Sequence, residues 1–170
     1  MATTPQEHLL SWLRDAHAME QQAETMLQSQ ISRLEHYPDL RSKLEEHLEE
    51  TRRQAQMVDD CIARLGGDTS AVKDVMGKMV AFGQGLSGLF VDDEVIKGGL
   101  ASYTFEQMEI ASYRILVVAA EACGDTTTAA ICARILKEEE AMAAWLDERM
   151  PALVRAFLQL DVTPGVAAKR

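Results

Sequence analysis

Two glutamates stand inside the apolar stretch "ASYTFEQMEIASYRILVVAAEA", residues 101–122. Glu106 and Glu109 are three apart, so on a helix they share a face one turn apart. Phe105, Met108 and Ile110 flank them. A carboxylate costs several kcal/mol to bury unless another charge compensates it. Other acidic residues interrupt apolar runs in the same way: Glu20 beside Ala16 and Met19, Glu50 beside Leu48 and Thr51, and Glu139 in "ILKEEEA". One turn before Glu20, Glu50, Glu109 and Glu139 stand His17, His47, Glu106 and Leu136. Carboxylates and imidazoles at one level of a helical bundle are the donor set of a two-metal site, where two divalent cations offset charges that could not stay ionised together.

The spacing supports convergence. Glu20 and Glu50 are 30 residues apart, as are Glu109 and Glu139. Each pair straddles a turn nearly symmetrically. At about 1.5 Å rise per residue, antiparallel positions equidistant from a turn lie at the same height, here about 20 Å away from it. The two halves therefore form a weak internal duplication, each bringing two glutamates to one level. Taken alone, "LEEHLEET" and "KEEEA" read equally well as solvated acidic faces, and His17 or His47 alone reads as structural. The matched spacing favours the converging set.

Four helices carry these residues. Thr4, Pro5 and Glu7 form a start signal for helix 1, expected over about 5–35. "EHYPD" breaks it, and helix 2 is expected over about 39–65, closed by "LGGD". A glycine-interrupted link, about 66–91, contains one short extra helix. Helix 3 is expected over about 92–123, and helix 4 over about 126–158, capped by Asp125 and kinked or ended by Pro151. Residues 159–170 read as a loose tail. The expectation is a single all-α domain spanning 1–170: two antiparallel hairpins joined by a crossover long enough to run the length of a four-helix bundle.

Composition sets outer bounds. The 170 residues are 47% hydrophobic and 5% aromatic, a helix-favouring balance sufficient for one core. A net charge of −10 argues against a nucleic-acid partner. No uncharged apolar run reaches the roughly 18 residues of a membrane helix. Three cysteines without a CxxC pair, and no secretory leader, read as reduced thiols in a cytoplasmic protein. Cys61 and Cys132 sit at apolar helical positions, as buried small hydrophobes do.

"LRDAHAMEQQ", "HLEETRRQ", "FEQMEIASY" and "ILKEEEA" resemble the four helix motifs of the YciE/YciF-type ferritin-like proteins, over residues from about 5 to 158. The resemblance implies a ferritin-like four-helix bundle, a homodimer, and a role in bacterial stress responses. It also implies a carboxylate-rich core site for two divalent metal ions, iron or manganese, on Glu20, His47, Glu50, Glu106, Glu109 and Glu139. Glu50 and Glu139 would bridge, and Glu20 and Glu109 would be terminal; Tyr103 and Tyr113 are neighbours of the site or simply core residues. The chain departs from the Glu-x-x-His pattern, with Arg53 and Met142 at the third position after Glu50 and Glu139, and it carries Gln107 where relatives have His. A di-iron or di-manganese oxidoreductase acting on oxygen or peroxide is one implied function. The alternative is a metal-free or metal-storing stress protein without catalytic activity.

Overall fold

A computed structural model describes residues 3–68 and 92–168. Among these residues the chain forms four helices and no strand: α1 (Pro5–Ile31), α2 (Pro38–Arg64), α3 (Glu94–Ala122) and α4 (Thr126–Asp161). α1 opens on a complete capping box: Thr4 accepts from the Glu7 amide, and Glu7 accepts from the Thr4 amide. Asp125 caps α4 by accepting from the Thr128 amide at 3.0 Å. Gly66 (φ 74°) and Gly124 (φ 72°) adopt the left-handed conformation that ends α2 and α3.

α1 packs on α2 and α3, and α4 packs on α3 and α2. Polar ties at the two ends fix the directions. Arg33, just past α1, makes a bidentate pair with Glu94 at the start of α3. Arg64, at the end of α2, reaches Asp125 at the start of α4 at 2.8 Å. α1 and α4 therefore run one way, and α2 and α3 the other. The end of α2 and the start of α3 thus lie at opposite ends of the bundle, as expected of a ferritin-like fold. The expected short helix of the link between the hairpins lies outside the described residues.

The boundaries differ in detail. α1 ends at Ile31 rather than near 35, because Leu34 and Tyr37 leave the helical path and enter the core. α2 begins one residue earlier than expected, at Pro38, a residue suited to a first turn. α4 neither ends nor breaks at Pro151 and continues to Asp161. The segment after it is not wholly loose, since Tyr37 Oη donates to the Ala168 carbonyl and Ala168 is buried. Cys61 and Cys132 are buried, and Cys123 is half-buried, all as free thiols.

The apolar core divides in two. One cluster, around Leu13, Ile62, Leu116 and Ile135, fills the end bearing the α3–α4 turn. The other, around Leu27, Leu44, Met142 and Leu146, fills the opposite end. Between them lies a layer of buried polar side chains.

The Arg33–Glu94 pair closes the end where α3 begins, with Glu94 buried and Arg33 about a quarter exposed. Arg33→Ala should cost about 2 kcal/mol, because Glu94 loses its cation in a low-dielectric setting. That is roughly 4–8 °C in thermal midpoint for a domain of this size. Replacing both partners by Met and Leu should recover most of the loss. Circular-dichroism melts of the three proteins check this.

Candidate metal centre

Each helix presents the polar layer from the stripe that also faces the core. On α2, His47, Thr51, Gln54 and Val58 are all buried, following the 3–4 residue period. On α1, Glu20 stands between Ala16 and Ala23, whose small side chains leave room for a carboxylate. On α3, Glu106 and Glu109 project one turn apart between Phe105 and Ile110. On α4, Glu139 follows Ile135 and precedes Met142. Side-chain exposure across the layer is 0–2% for Glu20, His47, Glu106, Glu109 and Glu139.

His47, Glu106, Glu109 and Glu139 each offer one donor atom, and these atoms all lie within 4.8 Å of one another. His47 is the hub. Its Nδ1 faces Glu50 Oε2 at 3.1 Å; its Nε2 faces Glu106 Oε1 at 3.4 Å and Glu139 Oε2 at 3.6 Å. Glu20 borders the group and accepts a hydrogen bond from the buried Tyr113 hydroxyl. One oxygen each of Glu20, Glu106, Glu109 and Glu139 has no hydrogen-bond partner. Buried acceptors left open are costly, and four of them in one layer are what a cation would satisfy. Carboxylate oxygens with an imidazole suit iron or manganese as donors. The residues thus fit a metal site.

The electrostatics without a cation are those of crowded acids. Burial, moderated by the Tyr113 hydrogen bond, pushes Glu20 up to about 8. Burial and the neighbouring carboxylates hold Glu109 and Glu139 well above the ordinary carboxylate range. Burial alone would lower the His47 pKa, but Glu106 and Glu50 outweigh it and raise the ring to about 10. Glu50, hydrogen-bonded to His47 and partly exposed, is shifted down.

Of the six residues expected to bind metal, the structure gathers His47, Glu106, Glu109 and Glu139 into one group and places Glu20 at its border. Glu50 stands apart: its side chain is 22% exposed and touches the outer nitrogen of His47. His17 is buried one turn from Glu20 but is not among the clustered donors. Tyr103 is half-buried against the apolar cluster away from the layer's Tyr113. Sequence reasoning missed Gln54, which is fully buried and donates to Glu138 Oε2 at 3.0 Å and to Glu139 Oε1. The signal was present: Gln54 is two turns past His47 on the same stripe.

The family described as a domain of unknown function (DUF892) matches residues 4–159. The chain belongs to this family. It is 42% identical to a protein of Xanthomonas campestris pv. campestris of known crystal structure, over 94% of this chain and 100% of the other, with a TM-score of 0.80. It is 26% identical to YcfI of Rhodopseudomonas palustris over 85% and 93% of the two chains, with a TM-score of 0.66. The E. coli stress protein YciF shares the fold, with a TM-score of 0.70 at 22% identity over 88% of this chain and 96% of that one. The resemblance to YciE/YciF-type proteins seen in the helix motifs therefore holds.

The raised acids give stability a definite pH dependence. Glutamates in the unfolded chain release protons near 4.5, whereas Glu20 keeps its proton to about 8 when folded. The folded protein then holds more protons than the unfolded one, so stability falls as pH rises through that window. His47, raised from 6.5 to about 10, acts in the same direction at higher pH. Each retained proton contributes about 1.4 kcal/mol per pH unit. From Glu20 alone, the chelator-treated protein should therefore lose roughly 8–17 °C in midpoint between pH 5 and pH 8. Calorimetry across that range checks it, and Glu139→Gln should flatten the slope.

Proposed function

We propose that this chain holds two divalent metal ions, iron or manganese, in the polar layer of its bundle and serves a bacterial stress response by reacting with oxygen or peroxide there. The observation that carries the reading is the group of His47, Glu106, Glu109 and Glu139, buried together with unpartnered carboxylate oxygens. Glu20 borders the same layer and completes the donor set. Bound metal ions would supply the electrons for the reaction.

The chain's own residues prepare the site. Glu50 accepts from His47 Nδ1–H and orients the ring, leaving Nε2 toward the carboxylates. Tyr113 steadies Glu20. The apolar clusters on either side exclude water and keep the carboxylates' donor strength undiluted by solvent. The naming of YciF as a stress protein supports the physiological setting. Free thiols and the lack of any helix among the described residues long and apolar enough to cross a membrane support a cytoplasmic location.

A second reading is favoured by one feature. Arg53 and Met142 occupy the positions of the two missing histidines, and His47 already pairs with Glu50, Glu106 and Glu139. On this reading the layer is a metal-free polar core, or a store, without catalysis.

An exposed apolar strip on α3 supports a homodimer. Leu100, Ile115 and Val118 are 54–65% exposed and fall on one side of that helix. Sedimentation should give a dimer, and Ile115→Glu with Val118→Glu should give a folded monomer.

Metal analysis of protein isolated without chelator should find iron or manganese. Adding Mn²⁺ to chelator-treated protein should raise the thermal midpoint; saturation at 100 times the dissociation constant is worth about 2.7 kcal/mol. Glu109→Ala should abolish the response, and the exposed Glu45→Ala should leave it intact. A wild-type midpoint indifferent to Mn²⁺ and Fe²⁺ would establish the metal-free reading. If metal binds, consumption of peroxide separates the redox protein from a store.

A further inference from the structure

Gln54 is completely buried on α2, in the layer of carboxylates. Its Nε2 donates to Glu138 Oε2 at 3.0 Å and to Glu139 Oε1, which uses both amide protons. The opposite amide orientation would set a carbonyl oxygen against two carboxylates, so chemistry decides which end faces α4. The remaining oxygen of the amide, Oε1, is buried without a partner. An apolar side chain of the same volume would avoid that cost. Core packing alone gives no reason for an amide here.

The consequence falls on Glu139. One of its oxygens is held by Gln54, and the other, Oε2, is left without a hydrogen bond, 3.6 Å from His47 Nε2. The clamp extends to the surface. Glu138 Oε2 takes the second amide proton, while Glu138 Oε1 accepts from Arg134 at 3.2 Å. A chain of hydrogen bonds thus runs from an exposed guanidinium to a carboxylate with no solvent exposure.

We propose that Gln54 is a positioning residue of the metal centre, holding Glu139 Oε1 so that Glu139 presents a single oxygen, Oε2, to the space shared with His47, Glu106 and Glu109. This rests on the metal-binding function proposed above. A carboxylate free to rotate can chelate one ion through both oxygens or swing between two. Glu139 with one oxygen occupied has a fixed donor number and direction. Gln54 touches neither metal nor substrate and acts through Glu139.

The test is an optical titration of chelator-treated protein with Co²⁺, whose visible spectrum reports donor number and geometry. Wild type, Gln54→Met and Gln54→Leu are compared, with melts of each in the absence of metal. Both variants should keep a cooperative melt at a lower midpoint, since they remove an amide with an unused acceptor but leave Glu139 Oε1 without its donor. Both should bind Co²⁺ about 10- to 100-fold more weakly, the usual effect of losing a partner that orients a ligand, and with an altered visible spectrum. A packing role would move the melt and leave the spectrum alone. Variants that bind Co²⁺ with wild-type affinity and spectrum overturn the assignment. In wild type, the Gln54 side-chain amide should also be protected from solvent exchange, and its ¹⁵N–¹H resonances should shift on loading with Zn²⁺. Absence of that shift overturns the assignment even where a variant does not fold. Wild type that takes up neither ion overturns the metal reading and this assignment together. Wild type that binds, with indifferent variants, overturns this assignment alone.

Discussion

Like charges do not share a low-dielectric interior without compensation, and the middle of this bundle holds four buried glutamates around one histidine. The surrounding structure answers that constraint. Apolar clusters at both ends provide the burial that stabilises the fold, so the polar layer need not. Ala16 and Ala23 flank Glu20 with minimal volume. His47 sets a cationic ring between Glu50 on one side and Glu106 and Glu139 on the other, and Tyr113 and Gln54 each supply a neutral donor to one glutamate. Even so, four carboxylate oxygens keep an open lone pair. A polar layer that served only to fix helix register would not need acids in such number.

Much of this was legible in the sequence because it follows from period and turn chemistry. Thr4, Pro5 and Glu7 announce α1, Asp125 caps α4, and Gly66 and Gly124 take up the positive φ that their turns require. The equal 30-residue spacings place glutamates from both hairpins near one level, and Glu20, Glu109 and Glu139 do lie in the layer. Pro151 was misleading for a physical reason. A proline removes one amide and crowds one carbonyl, but a long helix packed along its length can absorb that local loss. The ends of α1 and of the chain were set by tertiary contacts, the burial of Leu34, Tyr37 and Ala168, which leave no periodic trace.

The site was less legible than the fold because charge, not angle, guided the reading. Successive residues turn about 100°, so Gln54 lies within about 20° of His47, while Glu50 is about 60° away. The inward stripe of α2 therefore continues through a neutral amide, and the nearby acid is turned toward the surface. Among the acids of "LEEHLEET", none shares the stripe of His47 as closely as Gln54 does. An amide has no formal charge, so no search for metal ligands picks it out. Its importance appears once Glu139 is seen to need a donor.

The displacement of Glu50 makes sense through the two nitrogens of His47. Without a cation, the ring carries both protons and pairs with Glu50 on one side and with Glu106 and Glu139 on the other. If Nε2 gives up its proton to become a donor atom, Nδ1 keeps its own, and the contact with Glu50 persists in the same geometry. The layer can therefore be neutralised by protons or by cations without moving α2. In the first state the acids must hold protons above their ordinary range, as burial makes Glu20, Glu109 and Glu139 do. In the second they release them. Glu50, outside the crowd and shifted down, stays ionised in both and anchors the ring throughout. A carboxylate turned partly to solvent is the one suited to that task, because a fully buried one would compete for the same protons.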